Sequence, residues 1–276
     1  MIDVGGSPIG IAEAGGSIWV ATYFGGALVR IDPQTRMQLE PVQVGLGAIG
    51  VASAAGSLWV TLHELGQVAR VNPTTGKVIS VIDVGPEPEG VAGDDTGTWV
   101  TIEALGQVRR IDPATNEADP PITVGREPRH VGLGFGSVWV TNFGSATMTR
   151  INPATGEVMA TIDTQFGPEG IAFTDAYVWV ANARDNSVSR FDPLSNLIVD
   201  TFETGTATEG LVNDPDGLVW AAVTGAFGIA GIEPLSAEIV DPRSAGTQPR
   251  RLLIHGDELW VTNTGDGTVS VLPIHR

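Results

Sequence analysis

Short runs of alternating apolar and polar residues recur along the whole chain, each closed off by Gly, Pro, Asn or Asp. Gly167 to Asp192 shows the unit. A Pro/Gly approach leads into Gly170–Phe173 (GIAF), a turn into Tyr177–Asn182 (YVWVAN), and a polar loop (ARDNS, 183–187) into Val188–Phe191 (VSRF) before Asp192-Pro193. Period-two alternation bounded by turn formers predicts strands and leaves no room for helices.

The unit repeats at one interval. Trp19, Trp59, Trp99, Trp139, Trp179, Trp220 and Trp260 are all the tryptophans of the chain; they stand 40 residues apart, except for one step of 41 where Asn213–Gly217 (NDPDG) holds an extra residue. Four short strands per ~40 residues is the size of a propeller blade. The expected fold is therefore all-β, a seven-bladed β-propeller of four-stranded antiparallel blades forming a single domain over 1–276. The tryptophans are expected between blades, where each removes ~150–250 Å² from water, an upper bound of about 4–6 kcal/mol.

After the third strand come Asp32-Pro33, Asn72-Pro73, Asp112-Pro113, Asn152-Pro153 and Asp192-Pro193. Proline presets φ for a type I turn, and the preceding Asp or Asn bonds the backbone ahead of it. Gly76 and Gly156 supply the left-handed residue. Glu233-Pro234 is a weaker copy, and the last repeat ends at Leu272-Pro273 without a fourth strand. Met1–Gly5 (MIDVG) matches the fourth-strand segments Val81–Gly85 (VIDVG) and Pro121–Gly125 (PITVG). Residues 1–5 are thus expected to complete the blade formed by 248–274, closing the ring and removing its open edges.

Charge and composition narrow the partners. The formal net charge is −17, with 32 acidic against 15 basic side chains, all but Lys77 arginine. Such a surface repels phosphate backbones and anionic lipid, so nucleic acid is not an expected partner. No run approaches the ~20 apolar residues of a membrane helix, so membrane insertion is not expected. The absence of cysteine excludes disulfides, thiolate metal sites and a cysteine nucleophile. No basic, apolar, small-residue leader precedes the first strand, and either a trimmed chain or a domain cut from a longer one is expected. No nucleophile elbow, P-loop or dinucleotide fingerprint occurs; Gly132-Leu133-Gly134-Phe135-Gly136 is a turn between strands.

Positions that repeat in every blade serve the blade, and positions that differ serve something else. Loops entering the first strand and loops joining the second to the third open on one face, around the channel mouth. The residue before the first-strand glycine reads Ile9, Ile49, Glu89, Arg129, Glu169, Glu209 and Arg250 round the ring. Tyr23 and Phe24 extend the apolar side, while Glu103, Asn142, Asn182, Arg184, Asp185, Asn263 and Asp266 add polar groups. A preformed mouth with one apolar wall and convergent polar groups predicts a ligand site. The candidate ligand-binding residues are Tyr23, Glu89, Glu103, Arg129, His130, Asn142, Glu169, Asn182, Arg184, Glu209, Arg250, Arg251 and Asn263. The alternative is mutual neutralisation, in which the glutamates and arginines pair in a solvated rim at ~0–1 kcal/mol per pair.

The next position is glycine in five repeats (Gly10, Gly50, Gly90, Gly170, Gly210) but His130 and Arg251 in the other two, which are expected to project into space that the fold otherwise leaves empty. His130 is the one candidate catalytic residue, as a general base. No cofactor is expected. The candidate oxygen ligands for Ca²⁺ or Mg²⁺ are Glu89, Glu169 and Glu209, with Glu103 beside them, and no EF-hand or HExxH spacing accompanies them.

Trp139-Val140-Thr141-Asn142 and Trp260-Val261-Thr262-Asn263 resemble the YVTN repeat of bacterial propellers, with Trp179-Val180-Ala181-Asn182 a near copy. Pro168–Ala172 (PEGIA) is similar to the NHL and virginiamycin B lyase repeats. The resemblance covers the whole chain and implies a bacterial, extracytoplasmic propeller acting as a sensor or binding domain. Its lyase branch implies Mg²⁺-dependent ring opening by a histidine two residues after a glutamate. The comparable positions here read Glu87-Pro88-Glu89 and Glu127-Pro128-Arg129; His130 lies one residue later and His63 in another loop. The expected function is non-catalytic recognition of a small molecule, peptide or partner protein at the mouth. The alternative is a metal-dependent lyase or lactonase of the propeller type.

Overall fold

A computed structural model describes residues 1–226, 228–234, 236 and 238–274. Phe227, Leu235, Ala237, His275 and Arg276 lie outside the described residues, so the last two residues of the expected domain are not covered. Among the described residues, the strands form seven antiparallel sheets arranged as the blades of a ring. Blade 4 is representative. Pro128–Gly134 lines the channel, followed outward by Ser137–Asn142, Thr147–Ile151 and Val158–Asp163. Blade 3 departs from this pattern, because its outer strand splits into Glu117–Ala118 and Ile122–Thr123 around Asp119-Pro120-Pro121. Two prolines cannot donate to the ladder there.

The core lies between blades. Six tryptophans are fully buried and Trp99 is 2% exposed. Trp139 packs on Ile171, Val178, Val180 and Phe191 of the next blade, and Trp19 likewise on Val51, Leu58 and Val60. The Asx-Pro turns form as expected: Asp32 Oδ1 accepts from the Gln34 and Thr35 amides at 2.8 and 3.1 Å, and Asn72 Oδ1 from Thr74 and Thr75 at 2.9 Å each. The left-handed position is Gly76 or Gly156 in two turns but Arg36, Asn116 and Asn196 in the others.

Ile2–Asp3 pairs with Thr268–Pro273, Ile2 opposite Val269, and the Val4 and Gly5 amides donate to the Gly267 carbonyl at 2.8 and 2.9 Å. The N-terminal strand thereby closes the ring. The expectation of no helix is corrected in detail, because single 3-10 turns at His63–Leu65, Glu103–Leu105 and Thr224–Ala226 fill second-to-third-strand loops. Among the described residues no helix is long and apolar enough to cross a membrane.

Candidate functional site

The mouth is built by a bulge repeated in the first strands. In blade 3, Pro88 pairs with Ile102 and Val91 with Val100, so Glu89 and Gly90 together face Thr101 alone. A bulge of this kind re-aims side chains, here Glu89 into the mouth and Gly90 toward the channel. Threonines of the Trp-Val-Thr segments stitch the bulges of neighbouring blades together. Thr61 Oγ1 accepts from the Gly50 amide at 2.8 Å and donates to the Glu89 carbonyl at 2.7 Å. Thr141 and Thr262 donate in the same way to the carbonyls of Glu169 and Ile9, at 2.7 and 2.8 Å. The backbones come so close that a Cβ at Gly50 or Gly90 would lie 2.4 Å from the next blade's carbonyl oxygen. Close approach therefore selects glycine at these positions.

The charged ring residues converge into one network. Arg129 faces Glu103 at 3.3 Å, Glu169 at 3.5 Å and Glu89 at 3.9 Å. Arg250 faces Glu209 at 3.0 Å and Glu169 at 4.0 Å, and Arg251 donates to Glu169 at 3.1 Å. Glu169, 1% exposed, thus has three guanidiniums around it. Burial opposes its charge, but Arg251, Arg250 and Arg129 together hold the carboxyl below the usual range. Glu89, 4% exposed, behaves oppositely: burial, a hydrogen bond shared with Glu103 and the charge of Glu169 push it well above that range, and Arg129 only partly offsets them. Glu103 is held low against burial by its bonds with Glu89 and Arg129.

An apolar wall faces this floor across a cavity of about 300 Å³ bounded by Ile9, Ile49, Tyr23, Phe24, His63, Glu89, Glu103, Arg129 and Arg250. Phe24 is 76% exposed and meets Tyr23 edge-on at 5.1 Å. Tyr23 donates its hydroxyl to Glu64, which pushes the phenol up to about 12. On the opposite rim Phe143 lies between Arg129 and Arg184, whose guanidinium carbons stand 4.0 and 4.2 Å from the ring centre. Phe143 and His63 were not among the expected site residues. Their signal is their position: both stand four residues after a tryptophan, as the candidates Tyr23 and Glu103 do.

The structure separates the other candidates. Asn142, Asn182 and Asn263 are fully buried and do not reach the mouth. Each donates from Nδ2 to two hydroxyls of its own blade's third strand, as Asn142 does to Thr147 at 3.1 Å and Thr149 at 2.9 Å, so they hold the strand-two to strand-three turn. Asp185 and Asp266 accept loop amides, Phe166 and Thr247, at 2.8 Å each. His130 and Arg251 line a channel cavity of about 140 Å³ that shares Ile9, Ile49 and Glu89 with the mouth. Burial and the Arg251 charge push the His130 imidazole down to about 3, so it is neutral, and no carboxylate orients its buried Nδ1. That arrangement does not fit a general base serving the mouth. Of the metal candidates, Glu169 and Glu209 face arginines, and burial raises the Glu89 carboxyl well above the usual range. Among the described residues, no group of three or more His, Asp or Glu converges on a metal position.

No protein-family model matches the sequence, and no curated protein matches it. Solved structures match across nearly the whole chain. Hydrazine synthase of Kuenenia stuttgartiensis superposes with a TM-score of 0.85 at 16% identity, covering 97% of this chain and 96% of that one. A catalytically inactive virginiamycin B lyase from Staphylococcus aureus with quinupristin gives 0.84 at 17% identity, covering 99% and 97%. A streptogramin B lyase gives 0.83 at 17% identity, covering 96% and 92%. These likenesses establish the seven-bladed propeller fold.

Proposed function

We propose that this propeller is a recognition module that binds a small molecule or short peptide at the channel mouth. The observation that carries this reading is the pairing of an exposed apolar wall, Phe24 with Tyr23, Ile9 and Ile49, with a charged floor already locked in place by its own ion pairs. Preorganised polar groups beside a concave apolar surface give orientation and affinity with little ordering penalty. A fitting ligand carries a ring or aliphatic part for the wall and hydrogen-bonding groups for Arg129, Arg250 and Glu103. The reading calls for no cofactor; Ca²⁺ or Mg²⁺ at this floor would have to displace arginines from Glu169 and Glu209.

A second reading, a lyase or lactonase, is favoured by one feature. At the mouth burial raises Glu89, while the bond with Glu89 and the Arg129 charge lower Glu103, and carboxylates driven apart in this way can divide acid and base roles. Two of the similar folds are lyases by description.

One experiment separates the readings. A thermal-shift screen of cyclic lactones, depsipeptides and short peptides on the wild type is repeated on Phe24→Ala and Arg184→Ala, both exposed and expected to leave stability within ~0.5 kcal/mol. Recognition predicts hits that Phe24→Ala weakens and that are recovered unchanged by mass spectrometry. Conversion of a hit, abolished in Glu103→Gln, would establish the enzymatic reading. Hits indifferent to Phe24→Ala would remove the mouth from both.

A further inference from the structure

On the face opposite the mouth, six of the seven tryptophans carry a guanidinium over the indole. Arg30, Arg70 and Arg150 stand over Trp19, Trp59 and Trp139 at 5.1, 4.8 and 4.7 Å, each directly across the strand pair from its tryptophan. Arg190 stands over Trp179 at 6.0 Å and over Tyr177 at 4.8 Å. Blade 6 has Gly231 opposite Trp220, and Arg243 of the outer strand takes the place instead at 5.0 Å. Blade 7 has Val271 opposite Trp260, and Arg36 enters from the Asx-Pro turn of blade 1 at 4.8 Å, pairing with Glu258. Three unrelated backbone positions thus deliver one chemical group to one kind of slot.

Four of the six guanidiniums also reach a second part of the slot, the proline carbonyl of the following blade's turn. Arg70 and Arg150 donate to the Pro113 and Pro193 carbonyls at 2.6 Å each, Arg190 to that of Pro234, and Arg243 to that of Pro273. An indole face beside a carbonyl acceptor suits a planar cation that stacks and donates at once.

Between blades 3 and 4 the slot exists without its guanidinium. Arg110 is in register opposite Trp99, yet it bonds Asp119 at 2.9 Å and the Thr96 carbonyl, and it does not lie over the indole. The cause is local. In blades 1, 2 and 4 the arginine Nε is anchored at 2.9 Å by Ser17, Ser57 or Ser137, two residues before the tryptophan. Blade 3 has Gly97 there, and Arg110 Nε fills the missing side chain's place, 2.5 Å from where a Cβ would stand. A cleft of about 680 Å³ remains, with Trp99, Pro120-Pro121 and the Arg110–Asp119 pair on one side and the 153–156 turn on the other. Among the described residues no arginine reaches the Pro153 carbonyl.

We infer that this cleft is a docking slot for an arginine side chain of a partner polypeptide, its guanidinium entering over Trp99 and donating to the Pro153 carbonyl. Asp119 is already paired with Arg110, so the preference for a cationic guest rests on the six filled slots of the same chain and on the net charge of −17. The cleft is larger than one side chain requires, leaving room for the residues that flank the arginine.

The test titrates two capped tripeptides, Gly-Arg-Gly and Gly-Lys-Gly, into the whole chain, following the Trp99 indole N–H by NMR. The arginine peptide is expected to shift that signal and to bind about tenfold more tightly than the lysine peptide, because lysine cannot stack and donate as a plane. Gly97→Ser restores the anchor, draws Arg110 over Trp99 and should weaken the arginine peptide about tenfold. Arg110→Ala, which empties the site further, should retain or strengthen binding, and it decides together with the peptide preference should Gly97→Ser fail to fold. Equal affinities for the two peptides, a Trp99 signal that does not move, or undiminished binding by folded Gly97→Ser would each overturn the proposal.

Discussion

Glu169→Ala removes the one carboxylate that three arginines share. Arg129 keeps Glu103 and Glu89 as partners and Arg250 keeps Glu209, but Arg251 loses its one ion-pair partner among the described residues. Removing one member of a buried charge network destabilises by about 3–5 kcal/mol, since the uncompensated charge remains inside. The channel cavity beside Arg251 admits solvent and argues for the lower end of that range. With an unfolding entropy of about 2.1 cal/mol/K per residue, such a loss over the whole chain lowers Tm by about 5–9 °C. Glu209→Ala is the comparison: among the described residues it faces Arg250 alone, and Arg250 keeps Glu169, so a smaller loss than for Glu169→Ala is expected. Glu169→Gln keeps the shape without the charge and should fall between the two. Urea titration followed by both tryptophan fluorescence and circular dichroism measures all three and checks that the transitions coincide. A Glu169→Ala loss below ~1 kcal/mol, or one equal to that of Glu209→Ala, would refute the shared-anchor reasoning.

Glu89 is raised in the fold, so its stabilising share is present below the ordinary carboxylate range and lost as pH rises through the folded value. Glu89→Gln cannot ionise and should match the wild type in thermal melts near pH 4 but exceed it near about pH 8; parallel profiles would contradict this. His130 is lowered to about 3, so its share is present above the unfolded value of 6.5 and drains away as pH falls toward 3. His130→Gln should flatten the wild type's Tm decline between those values, and an unchanged slope would show that the imidazole is not buried neutral. Deleting residues 1–5 strips the strand paired to Thr268–Pro273 and exposes that edge, so a lower Tm and concentration-dependent aggregation are expected by light scattering. A truncated chain that melts like the wild type would leave ring closure without energetic weight.

The fold was readable because its signals are local and repeated: tryptophans at a fixed interval, Asx-Pro turns whose side chains bond amides two residues on, and a first segment copying later fourth strands. The ring of mouth residues was readable for the same reason, as a break in the repeat. Its burial was not. Whether Glu169 stands solvated on a rim or enclosed by three arginines depends on the first-strand bulge and on blades far apart in sequence. The asparagines misled because a residue at the mouth end of a second strand can point outward or back to its own blade, and hydroxyls at Thr147, Ser187 and Thr268 draw all three back. The arginine covers did leave a trace, an arginine eleven residues after tryptophan in the first five repeats. Its meaning emerges only with the strand register, and its failure at Arg110 only with Gly97.

A crystallographic fragment screen tests the ligand site most directly, since it needs no prior ligand and reports position. Fragments with an aromatic or aliphatic ring and a hydrogen-bonding group should collect at the mouth, ring against Phe24 and Tyr23, polar group on Arg129, Arg250 or Glu103, with the arginine–glutamate floor unmoved between free and bound crystals. A mouth that stays free of fragments while hits gather elsewhere on the ring would contradict the recognition account and leave the charged floor a structural plug.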